Sequence, residues 1–152
     1  MRPALFRQLV NLWPPFFFNS IAVTEMASDW SLVKVRLRRR LWNRNYIGTH
    51  FGGNLFAMAD PFWMLMVLHR LGPDYVVLDK AGRIEFIAPG RGDVYATFQI
   101  DEQTIDSLRS EAAAGEKVLR WFEADILDAG GETIAKVRKQ LYIRRKREGR
   151  NS

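Results

Sequence analysis

Residues 53–71, GNLFAMADPFWMLMVLHRL, decide the fold. The stretch has helical character and is apolar nearly all round, which marks a helix buried on most sides. Gly52-Gly53 precedes it and Gly72-Pro73 follows it, so both ends are punctuated. Asp60-Pro61 lies in the middle. Proline lacks the backbone donor and should kink the helix there. The alternative is that Asp60 caps and Pro61 starts a second helix.

On the C-terminal side the pattern changes to strands. Residues 75–88, 92–101, 118–128 and 132–144 are rich in Val, Ile, Phe, Tyr and Thr. Turns are expected at Pro89-Gly90-Arg91-Gly92 and at Asp128-Ala129-Gly130-Gly131. Glu102–Lys117, polar and Ala-rich, reads as a helical insertion between the second and third of these strands. On the N-terminal side, residues 30–42 alternate. Val33, Val35, Leu37 and Leu41 should face inward, and Lys34, Arg36, Arg38 and Arg40 outward. Further out, Leu5, Leu9 and Leu12 recur at helical spacing until Trp13-Pro14-Pro15 stops the helix. Phe16, Phe17 and Phe18 then read as an aromatic plug at a core edge, with a membrane-surface anchor as the alternative. The sum is an α+β layout, an antiparallel sheet packed on one helix.

The chain's 152 residues suit one domain over 1–152, with 1–29 as an N-terminal helix and aromatic segment and 145–152 as a basic tail. No uninterrupted apolar run reaches about 18 residues, so no stable membrane insertion is expected. Asn11, Pro14 and Pro15 break up what could otherwise imitate a signal peptide, and a cytoplasmic protein is expected. The absence of cysteine excludes disulfides, a cysteine nucleophile and thiolate metal sites. The net charge of +6 is concentrated partly in Arg144, Arg145, Lys146, Arg147 and Arg150. Such a tail reads as a solvated end, or as a means of attracting phosphates. The cationic stripe on residues 34–40 has no aromatic residues interleaved at the phase that nucleic-acid stacking needs, so no nucleic acid is expected as a partner.

Phosphate-cradling and metal motifs are missing: there is no GxxxxGK[ST], no GxGxxG after a strand and no GxSxG. His50 and His69 are too far apart to act as a helical ligand pair, and no metal site is expected. What remains is a carboxylate near a helix N-terminus. In Asn45-Tyr46-Ile47-Gly48-Thr49-His50-Phe51-Gly52-Gly53 followed by Asp60, glycines let a ligand approach the free N–H groups of a helix start. A thioester carbonyl placed there would have its developing oxyanion stabilised. Equally, the glycines could be a tight helix start and Asp60 a cap or an interface hydrogen-bonder.

The run Asn45-x-x-Gly48-x-x-x-Gly52-Gly53-x6-Asp60 resembles the signature of hotdog-fold thioesterases of the phenylacetate-degradation type, which reads Asn-x-x-Gly-x-x-His-Gly-Gly with an Asp in the central helix. Arg83 to Asp93 is similar to the family's strand and turn after the helix, and Val118 to Arg144 to its last hairpin. Trp42 through Gly53 with Asp60-Pro61-Phe62, and Asn11-Leu12-Trp13-Pro14-Pro15, resemble more closely a bacterial thioesterase-like branch carried as a domain of unknown function. The likeness covers about residues 10–145 and implies a hotdog fold, an antiparallel β-sheet wrapped around a long central helix.

It also implies a homodimer or homotetramer with the site between subunits, acyl-CoA or another acyl thioester as substrate, and no cofactor. Gly52, with Gly53 beside it, would polarise the carbonyl, Asp60 would act across the interface as general base or nucleophile, and Asn45 would position water or substrate. His50 and Phe51 would border the substrate, and Arg91 or the basic C-terminus would meet the coenzyme's phosphates. Two departures stand out. Phe51 occupies the place of the family's His before Gly-Gly, and His50 cannot inherit the role because adjacent residues point in different directions. Pro61 follows Asp60 directly. The first departure motivates a second reading, a non-catalytic acyl-binding protein.

Overall fold

The computed structural model describes residues 1–146. Six antiparallel strands form one sheet in the order β1-β2-β4-β5-β6-β3. The strands are β1 (Ile21–Met26), β2 (Leu32–Leu37), β3 (Tyr75–Phe86), β4 (Val94–Gln99), β5 (Val118–Asp128) and β6 (Thr133–Arg145). Helices α1 (Pro3–Leu12) and α2 (Pro14–Phe17) precede the sheet, α3 (Gly52–Ala57) and α4 (Phe62–Leu71) lie between β2 and β3, and α5 (Glu102–Glu111) joins β4 to β5.

Alternation builds the core. Val33, Val35 and Leu37 on β2, Val94, Ala96 and Phe98 on β4, and Val137, Leu141 and Ile143 on β6 are all buried. They meet Phe62, Trp63, Met66 and Val67 of α4. Phe62 stacks on Phe98 with ring centroids 5.2 Å apart, and Trp63 meets the same ring edge-on at 4.8 Å. Such pairs add about 0.5–1.5 kcal/mol beyond their burial.

The apolar segment is not one long helix. It ends at Ala57, and the chain makes a tight turn in which Ala59 N–H donates to Phe56 O at 3.0 Å. Helix α4 starts immediately after Pro61, whose ring could not have continued α3. Pro61 therefore opens a second helix, but no side chain caps it. Asp60 is engaged elsewhere. One side of the α3–α4 unit is incompletely covered, with Phe56, Met64, Leu65 and Leu68 only half-buried.

Three further boundaries differ from the sequence pattern. β1 lies within the segment expected to be helix and aromatic residues, and a bulge between Val23 and Glu25 disrupts its alternation. β2 stops at Leu37, so Leu41 falls in a 3₁₀ turn (Leu41–Asn43) and is exposed rather than inward-facing. Arg144 and Arg145 belong to β6, paired with Val76 and Tyr75, and are not part of a tail. Of the rest of the expected basic tail, Lys146 follows β6 directly and its N–H donates to Asp74 O at 2.8 Å, while Arg147 and Arg150 lie outside the described residues. Of the outward stripe, Lys34 pairs with Glu25 and Arg36 with Asp93. Among the described residues no helix is long and apolar enough to cross a membrane.

Candidate active site

The loop before α3 folds on the side chain of Asn45. Its carboxamide donates to Thr49 Oγ1 at 2.8 Å and His50 O at 3.2 Å, and accepts from Thr49 N–H at 3.0 Å. Every polar atom of that side chain is thus used within the loop, so Asn45 shapes the site rather than presenting a free amide to it. Gly48, at φ +85°, makes the reversal that a side chain would strain.

His50 ties this loop to the turn after β3. Its N–H donates to Gly90 O at 3.0 Å, and its ring nitrogen Nε2 lies 2.6 Å from Gly92 O. Because a carbonyl only accepts, Nε2 carries the proton, and Nδ1 is a buried acceptor without a partner among the described residues. The residue is 3% exposed. Burial pushes the imidazole below its ordinary pKa; the bond to Gly92 opposes this, and nearby Arg39 adds to it. A Cβ on Gly90 would come within 2.9 Å of the ring, so the two loops close on each other only with glycine there.

Between them is a cleft of about 410 Å³, lined by the Asn45–His50 loop, Gly52, Leu55, Phe86 and the Ile87–Gly90 turn. The amides of Gly52 and Gly53 donate no hydrogen bond among the described residues. Two aromatic rings cover this helix start. A Cβ on Gly52 would fall 2.7 Å from Phe86 Cζ, and one on Gly53 2.4 Å from Phe51 Cε1. Both glycines are therefore places of close approach. Phe51 is the backbone N-cap of α3 and is itself exposed. Arg91, also exposed, makes no ion pair among the described residues.

Asp60 does not line that cleft. It accepts from Lys139 Nζ at 2.6 Å, and Asp79 Oδ1 lies 3.3 Å from the same ammonium. The Lys139 side chain is 5% exposed, whereas that of Asp60 is 54% exposed. Phe56 lies under the ammonium, its ring centroid 5.5 Å away. Gly82, opposite Lys139 in the β3–β6 ladder, leaves room for both, since a Cβ there would meet Phe56 Cζ at 2.6 Å. Burial pushes Asp79 above the usual carboxylate range, against the pull of Lys139. Neither Lys139 nor Asp79 was singled out from the sequence. The signal was there for Lys139: it occupies the inward row of β6 between Val137 and Leu141.

The arrangement of the sheet and the helices packed on it is similar to that in solved structures of hotdog-fold thioesterases. The chain is similar to a Pseudomonas aeruginosa protein of unknown function described as a probable thioesterase, at 22% identity and TM-score 0.82 over 93% of this chain and 95% of that one. A Haemophilus influenzae thioesterase superposes with TM-score 0.69 at 13% identity, covering 99% and 96% of the two chains. The Escherichia coli PaaI protein of the phenylacetic acid degradation operon does so with TM-score 0.63 at 17% identity, covering 96% and 94%. No curated protein is significantly similar in sequence. Residues 2–143 match the model of the family described as domain of unknown function DUF4442, and the chain belongs to that family.

Proposed function

We propose that the protein is an acyl-CoA thioesterase-like hydrolase that cleaves an acyl thioester with water at a site shared between identical subunits. The observation that carries this reading is the cleft at the start of α3, lined by Gly52, whose amide has no hydrogen-bond partner among the described residues. A thioester carbonyl accepting from Gly52 N–H is polarised toward attack, and one such donor is typically worth about 100- to 1,000-fold in rate. Asp60 of the partner subunit supplies the carboxylate, as general base toward water or as nucleophile, at about 100- to 10,000-fold for base catalysis. Within each subunit Lys139 fixes that carboxylate. In this reading Arg91, exposed on the turn that follows β3, meets the coenzyme's phosphates. The half-buried apolar side of α3 and α4 is consistent with a second copy covering it.

A second reading, acyl binding without turnover, is favoured by one observation. The Phe51 ring lies over Gly53 where the family pattern has His, so it adds apolar contact and no proton donor. Thiol release from short, medium, long and aromatic acyl-CoAs decides between them, with Asp60→Asn alongside. The expected result is turnover that falls by at least about 100-fold in the variant. Ligand binding without thiol release from any acyl-CoA would establish the second reading instead.

A further inference from the structure

The net charge of +6 has a location. Residues 1–24 and 38–59 contain Arg2, Arg7, Arg38, Arg39, Arg40 and Arg44 and not one Asp or Glu. Of 23 basic residues these six leave 17, which balance the 17 acidic ones. The fold brings the two acid-free segments together. Trp42 Nε1 donates to Phe18 O at 3.0 Å, Asn43 Nδ2 to Asn19 O at 2.9 Å, and Arg38 N–H to Ser20 O at 3.0 Å. A groove of about 360 Å³ runs between them, with Phe17, Phe18, Arg38, Arg40 and Trp42 in its walls.

This face is apolar and unpartnered. Phe18 is 68% and Trp42 70% exposed, with Leu12 and Phe17 exposed beside them. Phe16 alone of the phenylalanine run is buried, so the aromatic plug expected from the sequence accounts for one ring of three. Arg38 and Arg40 are exposed, and neither meets a carboxylate among the described residues. Contiguous exposed apolar surface of this kind marks an interaction site. A second copy is a poor occupant, because a two-fold interface sets the patch against itself and would appose arginines with no acid in either segment. An anionic bilayer suits both halves of the chemistry. Tryptophan, phenylalanine and leucine partition into the headgroup–acyl boundary, and arginine pairs with lipid phosphate.

We propose that the face formed by α1, α2 and the 3₁₀ turn docks on the surface of an anionic phospholipid bilayer. Phe17, Phe18 and Trp42 enter the interface, and Arg38 and Arg40 contact the headgroups. The inference is independent of the thioesterase reading. Co-sedimentation of the full chain with extruded vesicles tests it, phosphatidylcholine alone against phosphatidylcholine mixed with phosphatidylglycerol. The protein should pellet with the mixed vesicles and not with the neutral ones. Each arginine removed should weaken partitioning about fivefold, so Arg38→Ala with Arg40→Ala lowers it about 25-fold. Phe18→Ala with Trp42→Ala should lower it at least about tenfold. Should the Trp42 variant fail to fold, the arginine pair still decides, since those guanidinium groups hold nothing in the protein among the described residues. No pelleting with mixed vesicles, or equal pelleting with both, overturns the proposal. So does a wild-type mass in light scattering that falls by half in Phe17→Ser with Phe18→Ser, which would give the face to a second copy.

Discussion

Removing both carboxylates around Lys139 should destabilise the protein by more than the sum of the two single changes. The ammonium is almost wholly withdrawn from water and has Asp60 at 2.6 Å and Asp79 at 3.3 Å. At an effective dielectric of about 20, each attraction is of order 5 kcal/mol before desolvation is counted. Desolvation of the lysine takes back several kcal/mol, so the net value of the cluster is small while at least one counter-charge remains. Asp60 is half-exposed and screened, and its change to Asn should cost about 1 kcal/mol. Asp79→Asn, in a more buried position, should cost about 1–2 kcal/mol. In the double variant the lysine is buried with no counter-charge, and the cost should rise to about 3–5 kcal/mol. Urea unfolding of the four proteins at one fixed chain concentration reads these values as midpoint shifts. Adding Lys139→Met to the double variant should recover most of the loss, because the buried charge is then gone. A double variant equal to the sum of the singles, or no recovery with Met, would refute the claim that the buried ammonium drives the effect.

Two further outcomes follow from the cleft. His50 has a folded pKa below its ordinary value, so the folded protein resists a proton that the unfolded chain accepts. The stability this gives is complete above about pH 6.5 and is lost as pH falls toward the folded pKa. His69, stacked on Trp30 at 3.8 Å and also held down by burial, contributes to the same acid limb, so His50→Gln should reduce that limb in a thermal-melt series without abolishing it. Gly52→Ala should leave the melting temperature unchanged or raise it, since alanine favours a helix by about 1 kcal/mol and the exposed Phe86 ring can turn aside. Thioester turnover should nonetheless drop about 100-fold, because the methyl occupies the approach to the amide. Unchanged turnover would remove Gly52 from the site.

Most of the architecture could be read from alternation and punctuation. The strands after Gly72, the helical insertion and the break at Pro61 all have local causes: period-two burial, turn glycines, a missing donor. β1 could not be read, because only Ile21 and Val23 are buried before the bulge shifts the phase. Leu41 was misplaced because alternation in a sequence continues past the point where hydrogen bonding to β4 ends, at Leu37. The candidate site divides the same way. Asn45, His50 and the glycines lie in one loop, and their contacts are local or reach the next turn. The partner of Asp60 lies 79 residues away. Register along β6 places Lys139 inward but cannot say which residue it meets across the fold.

Asp60 and Gly52 stand eight residues apart in one motif, yet within one subunit they serve different places. Gly52 opens on a cleft at the Phe86 end of β3, and Asp60 is held by Lys139, opposite Gly82 of the same strand. Strand β3 lies at the margin of the sheet and pairs only with β6. A strand rises about 3.3 Å per residue, so Gly82, opposite Lys139, and Phe86 lie about 13 Å apart along it. Antiparallel pairing of two β3 edges about a two-fold axis reverses one strand against the other. It would set the carboxylate end of one copy against the cleft end of its partner, and do so twice. The turn at Pro61 fits this arrangement, since it ends α3 just where Asp60 must leave the helix direction to reach β6. In this arrangement the unusual proline is what aims the carboxylate. If the proposed pairing holds, the cleft of the single chain is half of a site whose other half is the same sequence.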